Sequence, residues 1–543
     1  MVDLSRPVFL RSNVICEPLV NRWYAWSYLL PPATASLYFA NHNLKLLQSF
    51  VTSPQVHVQA LKRPEMAGGP FINHPANRVE ELRTLLDDTR KKQKPLLELA
   101  QALKDLDALV QAEATGGSLE PLYERVPPIL RGYVELVYDL HHRPSFRVIE
   151  RLLYDGPLYD DSNQSFRLSL CSDDQRPFVL STPRLDEPGC RWLETPFQSP
   201  LIDELCKART VAKPLGFFMD ILRANDAAAI ADLFTDTAPT PPTSFDGPGV
   251  RIRYLGHACV LVESRTTKLL FDPIVPYQHG SGPARASYAD LPPFIDYVVI
   301  THNHQDHVVL ETLLQLRHRI GTVVVPQNTP GHLADPSLKL LLRRLGFRSV
   351  ISIDQLDTVE FEGGALTALP FLGEHGDLDV SSKAAHHLRI EGRSILLAAD
   401  SNNLSTEMYQ HLSGLIGELD VLFVGMECAG APMSWLYGPL LMKPLARRFD
   451  QGRRLDGSNA DRVLSIVDQL KPRQLYVYAM GAEPWIQFIS SIDYTDESAP
   501  IVESNRVVAE CTARGMTAER LFGYREIRLS DSGGSATASS TRS

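Results

Sequence analysis

The feature that most constrains this chain is the run Thr301-His302-Asn303-His304-Gln305-Asp306-His307, which follows directly on the apolar stretch Tyr297-Val298-Val299-Ile300. Three imidazoles and a carboxylate crowd the end of an expected strand, ahead of an apolar helical pattern from Val308 to Leu316. Imidazole and carboxylate together suit first-row metals. His302 and His304, two apart on an extended loop, point to the same side and can share one ion. Asp306 and His307 reach toward a second. Two cations roughly 3.5–4 Å apart need a carboxylate between them. Asp400 is placed to be that bridge, because it ends the strand-like run Ser394-Ile395-Leu396-Leu397-Ala398-Ala399.

The first ion still lacks a ligand. Between the histidine run and Asp400 the chain reads Pro370-Phe371-Leu372-Gly373-Glu374-His375-Gly376-Asp377, and either Glu374 or His375 can serve. The late strand Gln474-Leu475-Tyr476-Val477-Tyr478 is followed by Ala479-Met480-Gly481, with no histidine to complete the second ion. That ion is therefore expected to be short of protein ligands and open to a small exogenous molecule. His257, His279, His318, His386 and His387 are read as non-ligands, and Cys259 and Cys428 as small core residues. Glu427, Trp435 and Tyr437, after the apolar strand Val421-Leu422-Phe423-Val424, are candidates to line a pocket, although ordinary loop and core roles explain them as well. Met480 and Glu483 sit near the vacated histidine position.

At 543 residues the chain calls for more than one domain. Residues 1–235 read as a mixed α+β domain, with helical patterning from Asn77 to Glu113 and from Leu119 to Leu153, then strand-like Phe166–Leu170 and Phe178–Leu180. Residues 236–249, rich in Pro, Gly, Ser and Thr, read as a linker. Residues 250–529 read as the catalytic domain, with strands expected at Arg251–Tyr254, Ala258–Val262, Lys268–Phe271, Tyr297–Ile300 and Thr322–Val325. Residues 530–543 read as a disordered tail. Seven scattered cysteines without CxxC spacing argue against a disulfide scaffold or a zinc ribbon. No run is apolar enough to span a bilayer and Met1 to Arg11 lacks a signal-peptide core, so a cytoplasmic protein is expected. The net charge of −10, without a dense basic run, disfavours nucleic acid as a partner.

The HxHxDH run and the strand-terminal Asp400 resemble the metal site of the metallo-β-lactamase fold, an α/β architecture with an αββα sandwich. Two further segments resemble one family within it, the diiron β-hydroxylases of nonribosomal peptide biosynthesis. One is Gly373-Glu374-His375-Gly376-Asp377, where that family uses glutamate in place of the usual third histidine. The other is Glu17-Pro18-Leu19-Val20-Asn21-Arg22-Trp23-Tyr24-Ala25-Trp26 with Pro31-Pro32-Ala33-Thr34-Ala35, similar to the opening of the family's N-terminal domain; from the residues alone it is only an aromatic-rich, partly buried start. The resemblance implies that His302, His304 and Glu374 bind one iron, Asp306 and His307 the other, and that Asp400 bridges. His375 becomes a neighbour of the ligands. It further implies a dioxygen-dependent monooxygenase with Glu374 and Asp400 as catalytic ligands. Its substrate would be an amino acid tethered as a thioester to a peptidyl carrier domain, its electrons would come from an external donor, and it would be a homodimer. A shell of three carboxylates favours oxidised iron, whereas zinc, having no redox chemistry, gains nothing from it. Two rivals stand against this. A zinc hydrolase of the same fold would use His375, and a docking protein with a vestigial site would tolerate loss of His302 or Asp400.

Overall fold

The protein is described by a computed structural model covering residues 3–530. Apart from Ser530, the tail expected to be disordered lies outside the described residues. Two seven-stranded sheets lie face to face. The first runs, in spatial order, Val350–Ile353, Ile320–Pro326, Ile295–Val299, Lys268–Phe271, Cys259–Glu263, Val250–Gly256 and Arg525–Leu529. The second runs Thr358–Phe361, Gly364–Leu369, Ala385–Ile390, Arg393–Leu397, Val421–Gly425, Gln474–Tyr478 and Thr517–Arg520.

The apolar runs make this layering. Most central strands are buried on both faces, so their residues alternate between two cores rather than between core and water. Ile252, Tyr254, Val260 and Val262 meet Leu388, Ile390, Ile395 and Leu397 between the sheets. The alternate residues Leu396, Leu422 and Leu475 pack outward under helices Thr406–Ile416, Ala460–Leu470 and Ala499–Ala513. Leu255, Leu261 and Leu270 face the other way, into a core shared with helices Leu310–Leu316 and Leu338–Arg344 and with the N-terminal region. This is the expected αββα sandwich, and one of its outer layers is built largely from the N-terminal region.

That region is mixed, as expected. Strands Trp23–Tyr24, Val14–Val20, Gln164–Leu170 and Arg191–Leu193 form one sheet. Helices Val79–Lys92 and Lys94–Glu113 account for the first helical pattern. Two local expectations are overturned. Residues 119–153 are not helical throughout: short 3-10 turns at Glu120–Arg125 and Pro128–Leu130 give way to a hairpin of Val134–Tyr138 and Pro144–Val148. Pro121, Pro127, Pro128 and Pro144 deny the helix its N–H donors, and Val134 and Leu136 alternate inward as a strand requires. Phe178–Leu180 is not a strand either; Val179 gives its N–H to the Phe488 carbonyl, and Pro177 precedes the segment. No helix or strand lies between Thr235 and Val250. Among the described residues no helix is long and apolar enough to cross a membrane. The aromatic opening is buried outright: Trp23, Tyr24, Trp26 and Tyr28 are each less than 5% exposed, deeper than the sequence implied.

Candidate metal centre

The site sits where parallel strands end. Lys268–Phe271, Ile295–Val299, Arg393–Leu397, Val421–Gly425 and Gln474–Tyr478 each have a parallel neighbour. The loops leaving their carboxyl ends carry Asp272, His302 to His307, Asp400, Glu427 and Ala479 to Gly481. The histidine loop is pinned on both sides. Thr301 donates its N–H to Asp272 Oδ1 at 2.8 Å and its hydroxyl to Oδ2 at 2.6 Å. Ala384 donates to the Thr301 carbonyl at 2.7 Å, and Asn303 donates to the Ser382 carbonyl at 3.2 Å. Asp400 has room only because residue 425 is glycine: a Cβ there would lie 2.5 Å from Asp400 Oδ1. Glu374 is aimed inward by a tight turn in which both Gly373 and Glu374 hold positive φ, +75° and +68°.

All six expected ligands converge. His302 Nε2 is 3.2 Å from His304 Nδ1, which is 3.3 Å from Glu374 Oε1. His307 Nε2 is 2.9 Å and His302 Nε2 3.8 Å from Asp400 Oδ2, so Asp400 lies between the two halves. Asp306 groups with His307 and with His257, a residue set aside as a non-ligand on sequence; His257 Nε2 is 3.4 Å from Asp306 Oδ2.

Hydrogen bonds assign which nitrogen of each ring is free. His307 Nδ1 donates to Asp272 at 2.8 Å, leaving Nε2 for a metal. His302 Nδ1 donates to the Thr301 hydroxyl oxygen at 3.0 Å, because that hydroxyl's own proton goes to Asp272; its Nε2 is likewise free. His304 Nε2 lies 3.1 Å from the Tyr437 hydroxyl, and its Nδ1 lies inside the cluster. The same hydroxyl lies 2.6 Å from His375 Nδ1, so Tyr437 links the two rings and can give its single proton to only one of them. His375 is thus a hydrogen-bond neighbour behind His304, belongs to none of the three donor groups, and leaves the third position to Glu374.

The electrostatics mark a place for cations. Burial, then the nearby Asp400 and Asp306, push the Glu374 carboxyl well above the usual range. Burial pushes His304 down to about 4 and His302 well below its ordinary value. Burial also opposes charge on His307, but Asp400, Asp272 and Asp306 outweigh it and hold that imidazole well above the usual range. Among the described residues no Lys or Arg makes an ion pair with Asp306, Glu374 or Asp400, and buried Asp400 Oδ1 has no hydrogen-bond partner. Three carboxylates and three imidazoles that converge without a Lys or Arg among them fit two metal ions, which would take the place of the proton that the carboxylates hold on His307.

The cluster opens on a cavity of about 370 Å³. Glu427, Trp435 and Met480 line it, as their positions after the strands suggested, together with Leu436, Leu455 and Ile492. Tyr437 is fully buried beneath it. Glu483 is elsewhere: it takes hydrogen bonds from the Tyr254 hydroxyl and from Gly523 N–H. His279, His318, His386 and His387 join no metal-competent group among the described residues. His257 is what sequence reasoning missed; Gly256-His257 at the end of Val250–Gly256 was the available signal.

Known proteins agree with this geometry. Residues 9–239 match the family described as the diiron non-heme β-hydroxylase N-terminal domain, and residues 267–476 the β-lactamase superfamily domain. The chain is 40% identical over 534 residues, 96% of its length and 99% of the relative's, to the 4-amino-L-phenylalanyl-[CmlP-peptidyl-carrier-protein] 3-hydroxylase of Streptomyces venezuelae. It superposes on the crystal structure of CmlA, a diiron β-hydroxylase from Streptomyces venezuelae, with a TM-score of 0.91 and 39% identity, covering 97% of this chain and all of that one. A metal-dependent hydrolase of Opitutus terrae is 30% identical, but over only 28% of this chain and 63% of its own length. A full-length match spanning both the N-terminal region and the metal-binding sandwich leaves one family: this chain belongs to the diiron non-heme β-hydroxylases.

Proposed function

We propose that this enzyme hydroxylates the β-carbon of an aminoacyl group held as a thioester on the phosphopantetheine arm of a peptidyl carrier domain. The single observation that carries this reading is a three-histidine, three-carboxylate cluster, without cationic side-chain partners, at the floor of the cavity. A relative alike over its full length is named for a carrier-tethered aminoacyl substrate. His302, His304 and Glu374 would hold one iron, Asp306 and His307 the other, with Asp400 placed to be shared by both. When bound, the iron pair supplies the redox chemistry that places one atom of dioxygen in a C–H bond and releases the other as water, with two electrons from an external donor.

The chain's own residues do the rest. Asp272, Thr301 and Tyr437 fix the ligand rings and their protons. Trp435, Leu436, Leu455 and Ile492 give the acyl side chain an apolar wall and keep water from the cluster. Glu427 keeps a carboxylate on that wall, held by Ala429 N–H, Gly430 N–H and the Tyr494 hydroxyl. Ala67 to Gly69, from the N-terminal region, close the cavity's outer side, so the carrier approaches along a seam between both regions. A second copy of the chain and the electron donor complete the assembly in this reading, on the family resemblance alone.

The test is iron content and product. Protein expressed in iron-supplemented medium carries about two irons per chain, lost or halved in Glu374→Ala. With a reductant and dioxygen, an aminoacyl-loaded carrier domain gains the mass of one oxygen atom. Tightly held zinc that ignores Glu374 but needs His375 returns the chain to the hydrolases. Equal turnover of the free amino acid removes the carrier from the proposal.

A further inference from the structure

His257 has been placed beside the cluster without a role. It stands in a left-handed conformation, φ +53°, between Gly256 and Ala258 at the turn joining strands Val250–Gly256 and Cys259–Glu263 of the first sheet. Such a backbone is unfavourable for a residue with a side chain and persists only where the surroundings enforce it. Here the enforcement comes from the loop where the late strand's histidine is missing. Ala479 N–H donates to the His257 carbonyl at 2.9 Å, and Gly481 N–H donates to His257 Nδ1 at 3.1 Å. The ring is 2% exposed, and Nε2 lies 3.4 Å from Asp306 Oδ2, close enough for a weak contact but without the alignment of a full hydrogen bond, and it has no other partner.

The Gly481 bond decides the chemistry. A ring nitrogen that accepts an N–H carries no proton, so Nδ1 is bare and the proton is on Nε2. His302 and His307 are arranged the opposite way: each turns its second nitrogen to an oxygen that accepts, which leaves Nε2 to face the cluster. We propose that His257 fills the space of the missing last histidine as a hydrogen-bond donor and not as a ligand. Its Nε2–H holds the Asp306 carboxylate, and the second iron keeps one position free of protein on the cavity side. His257 is a positioning residue, and the assignment rests on the diiron reading of the site.

The test is made on the whole chain loaded with isotope-enriched iron. His257→Ala binds two irons at saturation, as the parent does, but one of them about 10- to 100-fold more weakly in chelator competition. The Mössbauer signal of that same iron shifts. In His257→Gln, whose carboxamide N–H can donate from nearly the same place, affinity and signal return toward the parent's. One iron at saturation in a folded His257→Ala chain, judged by circular dichroism, makes His257 a ligand and overturns the proposal. Affinities and spectra unchanged in both variants overturn it as well. If His257→Ala does not fold, His257→Gln decides alone: two irons with a parental spectrum support the donor role, and one iron overturns it. A parent chain without iron is a different result, since it removes the diiron reading itself.

Discussion

Two clusters of buried charge, one on the histidine loop and one joining Glu17 to the helix that follows that loop, are built to opposite rules. Under the helix Leu310–Leu316, Glu17 accepts Arg176 and Arg184 at 2.9 Å and Arg167 at 3.0 Å. Glu311 accepts Arg176 at 2.7 Å and the Tyr277 hydroxyl at 2.6 Å. Burial works to raise the Glu17 carboxyl, but the three guanidinium groups overcome it and hold it far below the usual range. A few residues away, Glu374, Asp306 and Asp400 face one another with only imidazoles between them, and Glu374 is driven in the opposite direction. Where charge joins the two regions of the chain, the protein supplies its own counter-charge. Where a cation is to bind, it withholds one.

The contrast breaks first at its metal side. Asp400→Ala removes the shared carboxylate, so turnover falls roughly 1,000-fold or more and bound iron drops below two per chain by metal analysis. The structural side breaks differently. Glu17→Ala leaves buried Arg184 without a carboxylate, removes one of the two held by Arg167 and by Arg176, and costs about 3–5 kcal/mol in denaturant unfolding. Glu374→Gln, by contrast, leaves the metal-free chain at least as stable as its parent; a comparable loss in both variants would erase the distinction. Acid separates the two further. The Glu17 pKa is lowered on folding, so its contribution is complete above the unfolded value of 4.5 and is lost as pH falls toward the folded one. Unfolding free energy followed downward from pH 5 therefore declines less steeply in Glu17→Gln than in the parent.

Smaller effects sharpen the comparison at its margin. Asp272→Asn keeps the shape but gives the Thr301 hydroxyl and His307 Nδ1 a poorer acceptor, and iron affinity falls about 10- to 100-fold in chelator competition. Tyr437→Phe removes the hydroxyl between His304 and His375, and the same assay falls at most about 10-fold, since His304 keeps its Nδ1 in the cluster.

What sequence reveals of this site follows from how far apart its parts lie in the chain. His302 to His307 are legible because one loop carries four donors, and Asp400 because a strand of apolar residues ends on it. Glu374 and His375 are adjacent, and periodicity cannot say which turns inward. Two positive-φ residues turn Glu374 toward His302 and His304, while His375 meets the Tyr437 hydroxyl 62 positions on, and only the family resemblance anticipated that arrangement. His257 was read from sequence only as a non-ligand, and its place beside Asp306 was not legible because its orientation is set by Gly481, 224 positions away. The strands of the sandwich read well, since apolar runs between turns leave few alternatives. Residues 119–153 read badly because leucine spacing outweighed the prolines.

Tyr28, near the start of the chain, packs edge-on against Tyr437 with ring centres 5.9 Å apart, and Gly68 accepts the Trp435 indole N–H at 2.9 Å. The first seventy residues thus furnish part of the reaction chamber's masonry. Recombination that joined one relative's opening segment to another's sandwich would inherit a chamber whose walls no longer meet. New acyl specificities in this lineage should therefore arise by paired changes across the seam, and not by exchange of whole domains.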